Sequence, residues 1–221
     1  MKPYVAIIIV VLVIALGVGG YFWMKKNNSK NTSTSEKPAL EKNGSSALNS
    51  SPTDLSQEFL SASHGVSFKY PSLWKSKDID GDKNVTSPLT RENIAYLYEP
   101  VSSSDKARST MELLRFVIEP NETIKSVDDW YNYIKAKVDK FVGQKDLTDE
   151  VGYNLISLEK VDDINGKWTV REDYTLKDNV RGRDYYIYTG DIYQFVFEAN
   201  QSDFTSYEQL FKNIAYSFNT K

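Results

Sequence analysis

Few side chains in this chain are able to do nucleophilic, metal or acid–base chemistry, and their spacing limits each of them. There is one histidine, His64, and no cysteine. Disulfides, thiolate metal sites and cysteine nucleophiles are thereby excluded, and a Ser-His-acid relay or a zinc site would have to use that single imidazole. His64 stands directly before Gly65 in a stretch that reads as a turn, so a turn residue is the expectation for it. The run Asp78-Ile79-Asp80-Gly81-Asp82-Lys83-Asn84 sets oxygen ligands two apart, as calcium loops do. Its glycine falls fourth where such loops need it sixth, and Leu89 occupies the twelfth position where a glutamate belongs. A solvated turn fits it better.

Carboxylates are plentiful and mostly adjacent in sequence: Asp128 with Asp129, Asp162 with Asp163, Glu172 with Asp173. Neighbours in a strand point to opposite faces, so Glu172 and Asp173 cannot by themselves form a glycosidase-type pair. Asp128 and Asp129 suit the positive end of a helix dipole. Arg181-Gly182-Arg183 reads as a small basic loop that either holds an anion or sits in water, with water the default. No catalytic, cofactor-binding or metal-ligating residue is therefore assigned. The enzymatic alternative is a carboxylate-dependent hydrolase of the cell envelope using Asp163, Glu172 or Asp173 in a cleft.

The element that positions everything else is the apolar run at residues 4–24, YVAIIIVVLVIALGVGGYFWM, which carries no charged side chain. At about 1.5 Å per residue, a helix of this length covers the roughly 30 Å of a bilayer core. Tyr4 at one end and Tyr21, Phe22 and Trp23 at the other suit the headgroup level. The expectation is a transmembrane signal anchor. A cleaved signal peptide, with its small-residue site at Gly17 and Gly19, is the alternative. Lipidation is excluded for want of cysteine, and a pilin-like segment for want of an early glutamate. Lys25, Lys26 and Lys30 would place the following domain in the cytoplasm by a strict flank count. Large domains translocate largely regardless of nearby charge, and the domain is expected outside.

Residues 25–57 are rich in Ser, Asn, Thr and Lys and read as a flexible linker. Residues 58–221 are then one globular domain. The chain's formal charge is −3, and residues 1–57 hold six lysines against three acids, so the remainder stands at −6. An acidic domain is no partner for nucleic acid. The fifteen Tyr and ten Phe of the whole chain lean the domain towards sheet.

Period-two segments are expected at 60–63 and 66–70 across His64-Gly65, at 94–98 and 113–118, at 154–160 and 167–176 across Asn165-Gly166, and at 183–189 and 192–199 across Gly190-Asp191. Counting outward from Gly190-Asp191 pairs Tyr188 with Tyr193 and Tyr186 with Phe195. A strict two-residue loop at Asn165-Gly166 would set Glu159 against Glu172, so a longer loop or a bulge is expected within 161–166. Ser126-Val127-Asp128-Asp129 is capping-box-like, and Val127, Trp130, Ile134, Val138 and Phe141 fall on one helical stripe. Thr205 to Glu208 is expected to cap a last helix, with Tyr207, Leu210, Phe211 and Ile214 on one face. Residues 216–219 are expected to close as a short strand.

The stretch GVSFKYPSLWK, residues 65–75, resembles the opening strand and F-x-Y-P-x-x-W signature of the PsbP-like superfamily. The resemblance implies an α+β fold: an antiparallel β-sheet with helices packed on its faces, a PsbP-like α/β/α sandwich, here preceded by one transmembrane helix. It carries no activity over, because functions in that group diverge. The functional expectation is a membrane-anchored extracytoplasmic binding or scaffold domain, partnered by the membrane through its N-terminal helix and by an envelope protein or small ligand.

Overall fold

The computed structural model describes Pro38, Leu40 and residues 51–77, 83–84, 91–101, 107–118 and 123–220. The apolar run at 4–24, nearly all of the linker at 25–50 and most of the calcium-like run at 78–84 lie outside the described residues. Contacts with the domain reach back from Glu58 to Pro52. Asn213 Nδ2 donates to Pro52 O at 2.7 Å, Ser72 Oγ donates to Asp54 Oδ2 at 3.0 Å, and Leu55 packs against the core.

The strands are β1 (Gln57–Ser61), β2 (Val66–Tyr70), β3 (Lys75–Lys77), β4 (Lys83–Asn84), β5 (Arg91–Pro100), β6 (Ala107–Phe116), β7 (Asn154–Ile164), β8 (Lys167–Leu176), β9 (Val180–Tyr188), β10 (Ile192–Asn200) and β11 (Asn219–Thr220). The helices are α1 (Val127–Val142), α2 (Lys145–Val151) and α3 (Phe204–Tyr216). An eight-stranded antiparallel sheet runs β3-β5-β6-β10-β9-β8-β7, with β4 also on β5. The opening hairpin does not join it: β1, β2 and β11 form a separate three-stranded sheet.

Both faces of the large sheet are covered, which explains why its central strand β10 is buried along nearly its whole length instead of alternating. On one face Trp130, Ile134, Val138 and Phe141 of α1 and Val151 of α2 pack with Leu114, Val170, Tyr174, Tyr186 and Val196. On the other, Phe204, Tyr207, Leu210, Phe211 and Ile214 of α3, with Val66, Phe68 and Phe218 around the small sheet, pack with Tyr185, Ile187, Phe195 and Phe197. Tyr185 and Tyr186 are chain neighbours in separate cores, as the pleat demands.

The α1 stripe forms as the sequence predicts. Ser126 is the N-cap and accepts from Asp129 N at 3.1 Å, while Asp129 Oδ2 accepts from Lys125 N, one residue before the cap. The last helix differs: it starts at Phe204 behind Asp203, whose side chain makes no capping bond, so the expected cap at Thr205 is corrected. The early start buries Phe204 under α3. Helix α2 is not foreseen by the pattern. It is seven residues long and stops at Gly152, whose φ is +65° and where a Cβ would lie 2.9 Å from Lys177 N.

Two hairpin registers decide which side chains meet. At Asn165-Gly166 the loop is two residues, with Ile164 opposite Lys167, and one extra residue sits in β7 between Val161 and Ile164. This is the bulge the charge pattern requires. It sets Glu159 opposite Arg171, which bind at 2.8 Å, in place of Glu172. At 189–191 the loop is three residues, with Gly190 at φ +96° and Thr189 N donating to Asp191 O. Tyr188 therefore opposes Ile192, Tyr186 opposes Gln194 and Tyr185 opposes Phe195, which corrects the expected Tyr188–Tyr193 and Tyr186–Phe195 pairs by one residue.

Trp130 is fully buried, and its indole N–H donates to Tyr186 O at 3.3 Å. Trp130→Ala is expected to lower unfolding stability by about 3–5 kcal/mol in chemical denaturation, by cavity formation in the α1 core. A loss below ~1 kcal/mol would contradict this packing.

Candidate functional site

The densest polar chemistry lies inside the molecule, beneath α1 and α2. The turn Lys177–Asn179 between β8 and β9 holds Asp178 and Asn179 at φ +60° and +61°, a conformation these two residue types tolerate. That turn sets Glu172 opposite Asp184 on one face of the sheet. Glu172 accepts from the Tyr153 hydroxyl and, at 2.6 Å, from Tyr186 Oη. Asp184 accepts from Tyr174 Oη at 3.1 Å and from Gln194 Nε2, and Tyr186 Oη, whose single proton goes to Glu172, lies 3.4 Å away. Tyr153 and Tyr174 stack at 5.4 Å between ring centroids, and Phe141 closes against Tyr153 edge-on.

Glu172 and Asp184 are 1% and 2% exposed. Burial raises the pKa of Glu172, opposed by its tyrosine hydrogen bonds and assisted by the charge of Asp173. Burial likewise pushes Asp184 well above the usual range, and the Glu172 charge pushes it further. Tyr174 and Tyr186 are raised by burial and by both carboxylates. The cluster is thus an acid pair that favours holding protons, ringed by neutral hydroxyl donors.

Gly182, on the same face, makes this geometry possible. A Cβ there would come 2.3 Å from Tyr174 Cζ and 2.6 Å from its hydroxyl oxygen, so the Tyr174 ring lies directly over the β9 backbone. Arg181-Gly182-Arg183 is therefore part of β9 and not a basic loop, a correction that follows from strand alternation.

The two arginines emerge on the opposite face. Arg183 Nε donates to Asp173 Oδ1 at 2.7 Å, and Arg183 and Arg181 reach Glu208 of α3 at 3.4 and 3.5 Å. Arg171 Nε lies 3.1 Å from Asp173 Oδ2 but off the hydrogen-bond direction, so that contact is an ion pair only. Arg181 also stacks on Phe204 at 4.5 Å. Burial opposes the charge on Arg183, but Asp173 outweighs it and its pKa is raised.

Glu172 and Asp173 thus face opposite cores, and Asp163 lies exposed in the β7 bulge. The three carboxylates of the hydrolytic alternative do not converge. Asp184, the true partner of Glu172, was missed. Counting outward from the three-residue turn Lys177–Asn179, centred on Asp178, pairs the two.

His64 sits in the β1–β2 loop. Its Nδ1 is 2.8 Å from Ser61 Oγ and 3.1 Å from Ser63 Oγ, and its Nε2 is 3.3 Å from Glu92 Oε2. These are the atom types of a Ser-His-acid relay. The same Glu92 oxygen accepts from Arg115 at 2.8 Å, and Arg115 also holds Asp191. The arrangement ties the small-sheet loop to β5, β6 and the 189–191 turn. Among the described residues no three His, Asp or Glu side chains are grouped to hold a metal ion.

No family model matches the chain, and no curated protein matches it. Among solved structures it is similar to the solution structure of cyanobacterial PsbP (CyanoP) from Synechocystis sp. PCC 6803, with a TM-score of 0.53 and 17% identity, over 75% of this chain and 92% of that one. The chain has a PsbP-like fold.

The acid pair dictates a pH dependence. Carboxylates with raised folded-state pKa values stabilise the fold fully below their unfolded values, and that contribution is lost as pH rises through the folded ones. Stability is therefore expected to decline as pH rises from about 4 towards neutrality and beyond. In Glu172→Gln, where the amide can donate to Tyr186, the decline should be clearly shallower. Identical profiles for both proteins, by denaturation midpoint against pH, would contradict the assignment.

Proposed function

We propose that the chain is a membrane-tethered binding or scaffold domain, held by residues 4–24 as a signal anchor, displayed outside the cytoplasm and engaging a protein or small ligand of the cell envelope. One observation carries the tether: 21 consecutive residues without a charged side chain, aromatic at both ends. Among the described residues no helix is long and apolar enough to cross a membrane.

The non-catalytic part of the reading is supported by where the carboxylates go. Glu172 and Asp184 lie sealed under two helices, and Asp173 is committed to Arg183. A carboxylate-dependent hydrolase is the competing reading. The raised pKa values of Glu172 and Asp184 favour it, and their burial opposes it.

The full-length protein is expected to stay with membranes through carbonate washing. Protease added to intact cells or spheroplasts should clip it between residues 25 and 50 and release the folded domain. Protection until the membrane is breached would reverse the orientation, and a mature N-terminus near Gly20 would replace the anchor with a secreted form.

A further inference from the structure

One short piece of the linker is in contact with the domain. Leu40 forms a parallel bridge with Ala107, the first residue of β6, and Tyr96 Oη donates to Pro38 O at 3.4 Å. Each strand residue has two ladder sides. At Ala107 one side belongs to Pro100 of β5. On the other, β10 pairs with β6 only as far as Ala199 opposite Ser109, which leaves β6 running on without its neighbour. Leu40 takes the vacated side. Ala107 is fully buried and Tyr96 nearly so, although Tyr96 belongs to neither helix-covered core.

The sequence around the contact is suited to it. Pro38-Ala39-Leu40 is the first apolar cluster after the 4–24 run, and it is bracketed by Glu36-Lys37 and Glu41-Lys42. Proline sets its own φ and holds the preceding residue extended, so little freedom is lost on docking. Having no N–H, it cannot lengthen the ladder, and the flanking charges favour water.

We propose that the end of β6 beyond β10 is a strand-acceptor site, and that its occupant is this chain's own segment at Pro38 and Leu40, docked as a detachable clasp on the tether. With the clasp closed, only residues 25–37 lie between the 4–24 run and the domain, at most about 45 Å of chain. Opened, the span extends to Ser51 and roughly doubles. That consequence for reach rests on the anchor reading above, whereas the clasp itself does not. An extended apolar strand from elsewhere would compete for the same ladder side, as in strand addition to a sheet edge.

The chain has no cysteine, so an engineered pair reports without background. In full-length protein in detergent at low concentration, Leu40→Cys with Ala107→Cys is expected to form an intramolecular disulfide under mild oxidant at least tenfold faster than Ser45→Cys with Ala107→Cys. Bridged residues have the Cα separation a disulfide needs. Equal rates for the two pairs would overturn the clasp, and a disulfide-linked dimer would assign the site to a second copy instead. A second measurement leaves Ala107 untouched: Leu40→Asp should speed tryptic cleavage after Lys42 at least tenfold while cleavage after Lys30 is unchanged. No acceleration at Lys42 would likewise overturn it. Neither readout depends on whether residues 4–24 span a membrane.

Discussion

The fold depends on burying two carboxylates side by side, Glu172 and Asp184, in the middle of an apolar sheet face. An acid taken out of water without partners is costly, and two adjacent acids are worse. The surrounding sequence answers with donors from four elements: Tyr153 just after α2, Tyr174 on β8, Tyr186 on β9 and Gln194 on β10. Each must be placed to within a few tenths of an ångström, so strand register, helix α2 and the turns around them are tied to one another. A one-residue slip of β9 against β8 would put Asp184 on the other face and leave Tyr174 without its acceptor.

The opposite face uses charge differently. Asp173, Arg183, Arg171, Arg181 and Glu208 link β8 and β9 to the first turns of α3, with Phe204 beneath the guanidinium groups. Partly buried pairs of this kind add little net stability but penalise misdocking, because a helix seated wrongly would strand a charge. The two helical layers are thus positioned by different means, one by neutral hydroxyl bonds to acids and the other by ion pairs.

Much of this layout was legible in sequence. The stripe from Trp130 to Phe141 and the Ser126 cap depend on local spacing alone, and the bulge in β7 followed from like charges that could not face each other. The three-residue loop at 189–191 looked like a two-residue one because Gly190-Asp191 is a common two-residue turn, and the shift of one residue moved Tyr186 from an aromatic face to the acid cluster. Helix α2 is too short to carry a period. The pairing of Glu172 with Asp184 was hidden because the two lie twelve residues apart and meet only through the three-residue Lys177–Asn179 turn, which has no glycine or proline to mark it. Leu40 on Ala107 joins positions 67 residues apart with five strands between them, and no pattern marks such a meeting.

The closeness of Gly182 to Tyr174 carries a consequence for how this sequence can change over time. Any side chain at 182 evicts the ring from its seat. Conversely, loss of the ring uncovers a stretch of bare backbone and takes a donor from Asp184. Substitution at either position alone therefore passes through a poorer protein, and the two sites are coupled in sequence space. Among divergent homologues the pair is set to vary together or not at all, giving a covariation signal that links β8 to β9 independently of any conserved function.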